Sequence, residues 1–149
     1  MNAMVDFTNS GTPYAEGRVL SFESQDKIDT AVLETFPYAG PTQIIVYDTK
    51  EFTAVCPYSG LPDFATLRIE YVPGRTIVEL KSLKYYIVSF RNVGIFQEPA
   101  TARIYEDLWK LLQPQRLCVK TAYHTRGGID ASCVVDSKQQ PVQSVGSKG

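Results

Sequence analysis

From Ala65 the chain alternates, with Ala65, Leu67, Ile69 and Tyr71 set against Thr66, Arg68, Glu70 and Val72. Alternation of this kind marks a strand with one buried face, and Pro73-Gly74 closes it. After a brief extended run, Thr76 to Val78, the period changes: Leu80, Leu83, Ile87 and Phe90 recur at helical spacing, with Lys81, Lys84 and Arg91 on another face. Gly94 interrupts that helix. Pro99 suits the first turn of a second one, from about Glu98 to Leu112, whose apolar face is Ile104, Leu108, Leu111 and Leu112 with Trp109 at its border. Pro114 ends it. Leu117, Val119 and Thr121 then face one side of a strand running to Tyr123, a Gly127-Gly128 turn follows, and Ile129 to Val134 form a last strand. Strands, two successive helices and more strands describe an antiparallel α+β domain better than repeated βαβ units.

Upstream, Ile44 to Tyr47 and Glu51 to Val55 read as two short strands joined by a turn at Asp48-Thr49-Lys50. Before them the pattern is weak, with short apolar segments at Arg18 to Phe22 and Ala31 to Phe36 and a loop from Pro37 to Pro41. At 149 residues the chain fits one domain, taken as 1–135, with a flexible polar tail at 136–149. With 15 basic and 16 acidic side chains there is no global attraction to nucleic acid or an anionic membrane. Neither a signal peptide nor a membrane anchor is indicated, so cytoplasmic residence is the expectation. Three cysteines without a close C-x-x-C pair suit a reducing compartment.

Chemistry concentrates between Cys56 and Asp63. Two prolines and a glycine in the intervening C-P-Y-S-G-L-P-D bend the connection, so a thiol and a carboxylate can face one pocket. A nucleophile with a nearby proton donor is the functional reading. A buried small hydrophobe and a turn cap are the bland one. No metal site is expected: His124 is the sole histidine, and Cys118 and Cys133 lie far from it and from each other in ligand terms. No dinucleotide fingerprint or phosphate-binding glycine loop is present. Lys81 and Lys84 project together from a helix start, and with Ser82 and Arg126 they could surround phosphate groups. Glu98 could accept donors from a heterocycle and Phe96 could pack on a flat ligand, or both could serve the helix and the core.

This ordered set, VCPYSGLPDFA, then VELKSLKYYIVSFRNVGIF, Glu98 and HTRGGI, resembles the unimodular 7-cyano-7-deazaguanine reductases, the nitrile reductases of queuosine biosynthesis. The resemblance runs from about Thr53 to Ala131 and implies a tunnelling fold. In that fold a four-stranded antiparallel sheet with two helices assembles into a closed ring oligomer, commonly stacked pentamers, with active sites between subunits. It implies that the Cys56 thiolate attacks the nitrile carbon of 7-cyano-7-deazaguanine to give a thioimide, that Asp63 protonates the nitrogen, and that two NADPH reduce the adduct in turn to the aminomethyl product. It further implies that Glu98 reads the donor edge of the base, with Phe96, Gln97 and Glu79 near the substrate, and that Lys81, Ser82, Lys84 and Arg126 hold the NADPH phosphates. One departure is Gln97, where the family commonly has histidine; glutamine hydrogen-bonds but does not titrate. Two other functions stay open: ammonia-dependent amidination of a cyano-deazaguanine already in tRNA, and a noncatalytic purine-binding module. Direct tRNA binding is not expected of the surface charge.

Overall fold

The computed structural model describes residues 17–141. Six strands and two helices follow in the order β1 (Thr35–Pro37), β2 (Ile45–Val55), β3 (Pro62–Val72), β4 (Thr76–Val78), α1 (Leu80–Val88), α2 (Gln97–Leu112), β5 (Arg116–Tyr123) and β6 (Ser132–Asp136). The four longer strands make one antiparallel sheet in the order β2-β3-β5-β6, and β1 pairs with β4 in a separate antiparallel ribbon. The antiparallel α+β class and two helices expected from the pattern are present, as is the four-stranded antiparallel sheet that the resemblance implies.

Alternation decides which face is dry. Ala65, Leu67, Ile69 and Tyr71 of β3 and Leu117, Val119, Thr121 and Tyr123 of β5 are buried, and both helices pack on that side through Leu83 and Tyr86 of α1 and Ile104, Leu108 and Leu112 of α2. Phe52, Tyr86 and Phe90 meet edge-on at 5.4 Å centroid separations, joining β2 to the end of α1. The opposite face carries charge. Arg68 bonds Asp48 at 2.9 Å and Glu70 at 3.3 Å, and Arg116 reaches Glu70 at 3.7 Å and Asp136 at 3.3 Å. A ladder of alternating sign therefore crosses all four strands and keeps this face wetted.

Three expectations change. Asp48-Thr49-Lys50 is no turn: β2 is continuous, and the pairing passes from Thr49↔Leu67 to Phe52↔Ala65, one extra residue on β2. That is a bulge, and it lets the polar stretch stay in the strand while returning Phe52 to the core face. The last strand is Ser132–Asp136 rather than Ile129 to Val134, because Gly127 and Gly128 at φ 56° and 75° close the Arg126↔Ile129 turn and pairing resumes only at Ala122↔Ser132. Asp136 to Gln139, expected in the tail, belong instead to β6 and a short turn beside β5. Ser137 Oγ accepts the Leu117 N–H at 3.0 Å and Asp136 accepts the Lys138 N–H at 3.1 Å, so Ser137–Gln139 forms a short 3-10 turn against β5. Residues 142–149 of that tail lie outside the described residues, as do residues 1–16 of the weakly patterned start.

Candidate active site

Cys56 follows the last residue of β2 and opens the hairpin to β3. Its N–H donates to the Leu61 carbonyl at 2.9 Å, and its own carbonyl accepts the Gly60 N–H at 2.8 Å, which curls the loop into a single tight turn. Gly60 is needed there: its φ is +70°, and a Cβ would stand 2.2 Å from the Leu20 carbonyl oxygen. The next pairs of the hairpin are Val55↔Pro62 and Ala54↔Asp63. The bent connection thus does bring the thiol and the carboxylate to one end of the sheet.

The segment between the helices completes this end. Val55 donates its N–H to the Val93 carbonyl at 2.9 Å and accepts the Ile95 N–H at 3.1 Å, so Val93 to Ile95 runs beside the end of β2. Gly94 permits the approach of the Phe22 ring, which a Cβ would meet at 2.2 Å. Phe96, Gln97 and Glu98 are delivered next to the cysteine loop by this pairing, and the Tyr58 and Phe96 rings lie edge-on at 5.3 Å. Phe96 and Glu98 are exposed and Gln97 half-buried, with the Gln97 carbonyl accepting the Thr101 hydroxyl at 2.9 Å.

Charge is arranged around the thiol with some care. Burial pushes Cys56 up, and the neighbouring Asp63 carboxylate adds to that; the Ser59 hydroxyl and the backbone N–H groups of Ser59 and Tyr58 outweigh both, so the thiol lies below its ordinary value. Asp63 is only 6% exposed and pairs with Arg126, Nη1 to Oδ1 at 2.7 Å; Arg126 also donates to the Pro62 carbonyl. Behind them Tyr123 is buried, its hydroxyl pushed well above the usual tyrosine range by desolvation, with Cys133, Asp63 and Glu98 contributing against the Thr121 hydroxyl. That electrostatic neighbourhood ties Asp63 and Glu98 to one buried phenol. Nothing in the sequence marks Tyr123, Tyr58 or Ser59 as site residues; an aromatic at a strand end and two loop residues beside a cysteine are ordinary until the hairpin is closed.

The lysine group sits elsewhere. Lys81 and Lys84 are exposed on α1 and form no salt bridge among the described residues. Lys84 borders a groove of about 600 Å³ between α1 and the first half of β2, lined by Val46, Leu67, Ile69, Leu83 and Val88, and neither Cys56 nor Asp63 reaches it. From Tyr47 to Val55 along β2 is roughly 25 Å at the usual strand rise. One chain therefore holds the lysines and the thiol at different ends of its sheet. Arg126, expected with the lysines, stands instead beside Asp63, because the chain after β5 stays alongside the start of β3, the His124 N–H donating to the Phe64 carbonyl at 3.0 Å.

Ser82 and Glu79, also expected at ligands, have local tasks. The Ser82 hydroxyl donates to the Glu79 carbonyl at 2.7 Å and accepts the Glu34 N–H at 3.0 Å, which leaves the side chain buried between α1 and β1. The Glu79 carboxylate caps α1, accepting N–H groups from Lys81 at 2.8 Å and Ser82 at 2.6 Å, and those two amides hold it below the ordinary carboxylate range. A lowered carboxyl stabilises the fold above its unfolded value, and that contribution disappears as pH falls through the folded one. Glu79→Gln is accordingly expected to lower the melting temperature at neutral pH, and the gap from the parent should close below the ordinary carboxylate range in thermal scans across pH.

Comparison with known proteins gives this geometry a family. Residues 62–142 match the model of the QueF-like protein family. The chain belongs to that family. It is 54% identical over 126 residues, 84% of this chain and 92% of the relative, to an NADPH-dependent 7-cyano-7-deazaguanine reductase of Thermotoga petrophila. Another protein of that name, from Caldicellulosiruptor bescii, is 53% identical over 111 residues, covering 73% of this chain and 85% of its own. Among solved structures the QueF-like fold is shared with the apo archaeosine synthase QueF-Like, at a TM-score of 0.63 and 21% identity over 69% of this chain and all of that one. The QueF-like family model begins at Pro62, so it takes in Asp63, α1, Glu98 and the Arg126 turn.

Proposed function

We propose that the chain reduces the nitrile of 7-cyano-7-deazaguanine to the aminomethyl group with NADPH, through a thioimide on Cys56. The reading is carried by the hairpin that sets Cys56 and the Asp63 carboxylate at one mouth, in a chain half identical to reductases of that name. A nitrile carbon is electrophilic, and charge grows on its nitrogen as sulfur adds; Cys56 supplies the nucleophile, and its thiol proton passes through the Asp63 carboxyl group to the nitrogen. Glu98, exposed in the first turn of α2, accepts the N–H groups of the base's pyrimidine edge, and Phe96 lies against the ring with Tyr58 at its edge. Cys56 must leave again before the carbon becomes an amine, and a thiol of lowered basicity departs readily.

NADPH would supply the hydrides. The donor set fits an anionic cofactor: two exposed ammonium groups at the start of α1, three residues apart, and a third cation in Arg126. Charge removal at both lysines, Lys81→Gln with Lys84→Gln, is expected to raise the NADPH KM about tenfold or more with kcat less affected, and to flatten its dependence on salt. Steady-state kinetics at two ionic strengths check it.

The division of the site between two ends of the sheet supports assembly into a closed ring, read as stacked pentamers. β2 and β6 are open edges running in opposite directions, so β6 of one copy can pair with β2 of the next and no edge is left bare. Catalysis in the cytoplasm suits a thiol nucleophile, and no helix of the described residues is long and apolar enough to cross a membrane. The test is stoichiometric. Protein, free cyano base and NADPH should consume two NADPH per aminomethyl product. Native mass should give a multiple of five, and co-assembling Cys56→Ala chains with the double lysine variant should restore turnover at low NADPH. An assembled protein that leaves NADPH untouched overturns the reading, and ammonia-dependent modification of preloaded tRNA would replace it with the amidine-forming one that Gln97 keeps in play.

A further inference from the structure

We propose that Thr121 and Thr101 are positioning residues for the base: their hydroxyls, joined in the dry layer between sheet and helix, set the place of the first turn of α2 and with it the span from Glu98 to Cys56. The inference rests on the reductase reading and adds to it what fixes that span.

Both side chains are fully buried, Thr121 on β5 opposite Leu67 and Cys133 of the flanking strands, and Thr101 on the face of α2 that carries Ile104 and Leu108. Their oxygens lie 2.6 Å apart. Each hydroxyl has one proton, and Thr101 donates its own to the Gln97 carbonyl at 2.9 Å, so the proton between the two oxygens belongs to Thr121. A chain of bonds thus runs one way, from the sheet to the carbonyl of the residue before Glu98. The N-cap of α2, Phe96, makes no side-chain bond to the first turn, and the backbone pairing of Val55 with Val93 and Ile95 stops just short of it. The hydroxyl pair is the next fixed point.

Apolar contacts define this seat poorly. Ile104, Leu108 and Leu112 share a core with Leu117 and Val119, and burial is not directional, so a helix shifted along the sheet would lose little of it. A hydrogen bond weakens steeply with distance and angle, and a satisfied buried pair therefore selects one seating. Two valines would fill the same space without supplying that direction. The chemistry needs it. Glu98 holds one edge of the base while Cys56 must reach the nitrile carbon on the other ring, and the base is rigid, so carboxylate and sulfur have one correct separation. Glu98 rides on α2 and Cys56 on the hairpin of β2 and β3; Thr121 lies in the strand that pairs with β3, and refers one half of the site to the sheet that carries the other.

The test is Thr101→Val with Thr121→Val in the full chain, which removes both hydroxyls and keeps both shapes. Replacing both partners of a buried bond by apolar groups of the same form is close to neutral, so the melting temperature should stay at or near the parent's. Formation of the Cys56 adduct at saturating cyano base, followed by intact mass, should nevertheless slow by at least about tenfold, because small misplacements of reacting groups cost up to about a hundredfold. Binding of the base, measured by calorimetry in Cys56→Ala chains with and without the two valines, should change far less, since Glu98 carries its bonds with the helix. Thr121→Ser keeps the hydroxyl and drops a methyl; it should melt lower and add the base at the parent rate. A role in packing alone predicts the reverse order. The proposal is overturned by a double valine chain that adds the base as fast as the parent, by a serine variant as slow as the valines, or by a loss of binding as large as the loss of rate. Should the double variant not fold, Thr121→Val, which leaves Thr101 bonded to Gln97, is read against Thr121→Ser in the same way. Failure of the reductase reading has its own signature: the parent itself gains no base on Cys56, and both readings fall, whereas a parent that gains it no faster than the valines removes this one alone.

Discussion

Replacing Cys56 by alanine is expected to abolish both turnover and the covalent adduct with the cyano base, a loss of at least about a thousandfold in kcat. The variant should fold. Cys56 is held by its backbone, through the Leu61 carbonyl and the Gly60 N–H, and its side chain is only half-buried, so a smaller one leaves those bonds in place. No other thiol is placed to substitute. Cys118 lies on β5 between Arg116, Glu70 and Asp136, with burial first and the Asp136 charge second raising it above its ordinary value. Cys133 faces Thr121 across β5 and β6 and lies in the neighbourhood of the buried Tyr123, behind the hairpin rather than at its mouth. Intact mass of the protein incubated with nitrile alone is the decisive measurement. The parent should gain the mass of one base per chain with no group lost, because addition to a nitrile expels nothing, and the alanine chain should gain none. A persisting adduct in Cys56→Ala would move the nucleophile elsewhere and remove the reason for pairing it with Asp63.

Much of the fold that carries this candidate site was legible in the sequence. The strict alternation from Ala65 to Tyr71 has one interpretation, and it fixed which side of β3 faces the helices. Pro73-Gly74, Pro99 and Pro114 marked element ends because proline removes a donor and glycine admits turns, effects that need no tertiary partner. What escaped was set by pairing across the chain. The Asp48-Thr49-Lys50 stretch reads as a turn by composition, and only its register against Leu67 and Ala65 converts it to a bulge. Ser82 and Glu79 read as ligand-binding because a hydroxyl and a carboxylate beside two lysines suit phosphate or substrate. Their assignment to α1 depends on the amide of Glu34, forty-eight residues away in sequence, and on the cap geometry. The separation of Lys84 from Cys56 is likewise a property of strand length and not of spacing in sequence. It is this separation that makes one chain read as an incomplete site.

Asp63→Asn is expected to lower kcat by about a hundredfold to a thousandfold, with binding of the base much less affected, because general acid catalysis contributes on that scale. The difficulty is that Asp63 has a second task. Its Oδ1 holds Arg126 Nη1 at 2.7 Å, and an asparagine of the same shape would keep the hairpin pairing with Ala54 while losing the charge that anchors the guanidinium. A drop in rate alone would not separate the two tasks. Arg126→Gln does, since it leaves the carboxyl in place and removes only its partner. If Asp63 delivers the proton, Arg126→Gln should raise the NADPH KM and cost kcat far less than Asp63→Asn, and the double variant should be as slow as Asp63→Asn. Were Asp63 merely an anchor, the two single variants would lose kcat equally and the double would lose nothing further. The adduct supplies the mechanistic check. A sulfur can add to the nitrile only as fast as nitrogen is protonated, so Asp63→Asn should slow formation of the Cys56 adduct as well as turnover. Arg126→Gln should form it at close to the parent rate. Equal rates of adduct formation in the parent and Asp63→Asn proteins would take the proton from some other donor, with the buried Tyr123 hydroxyl the next to examine.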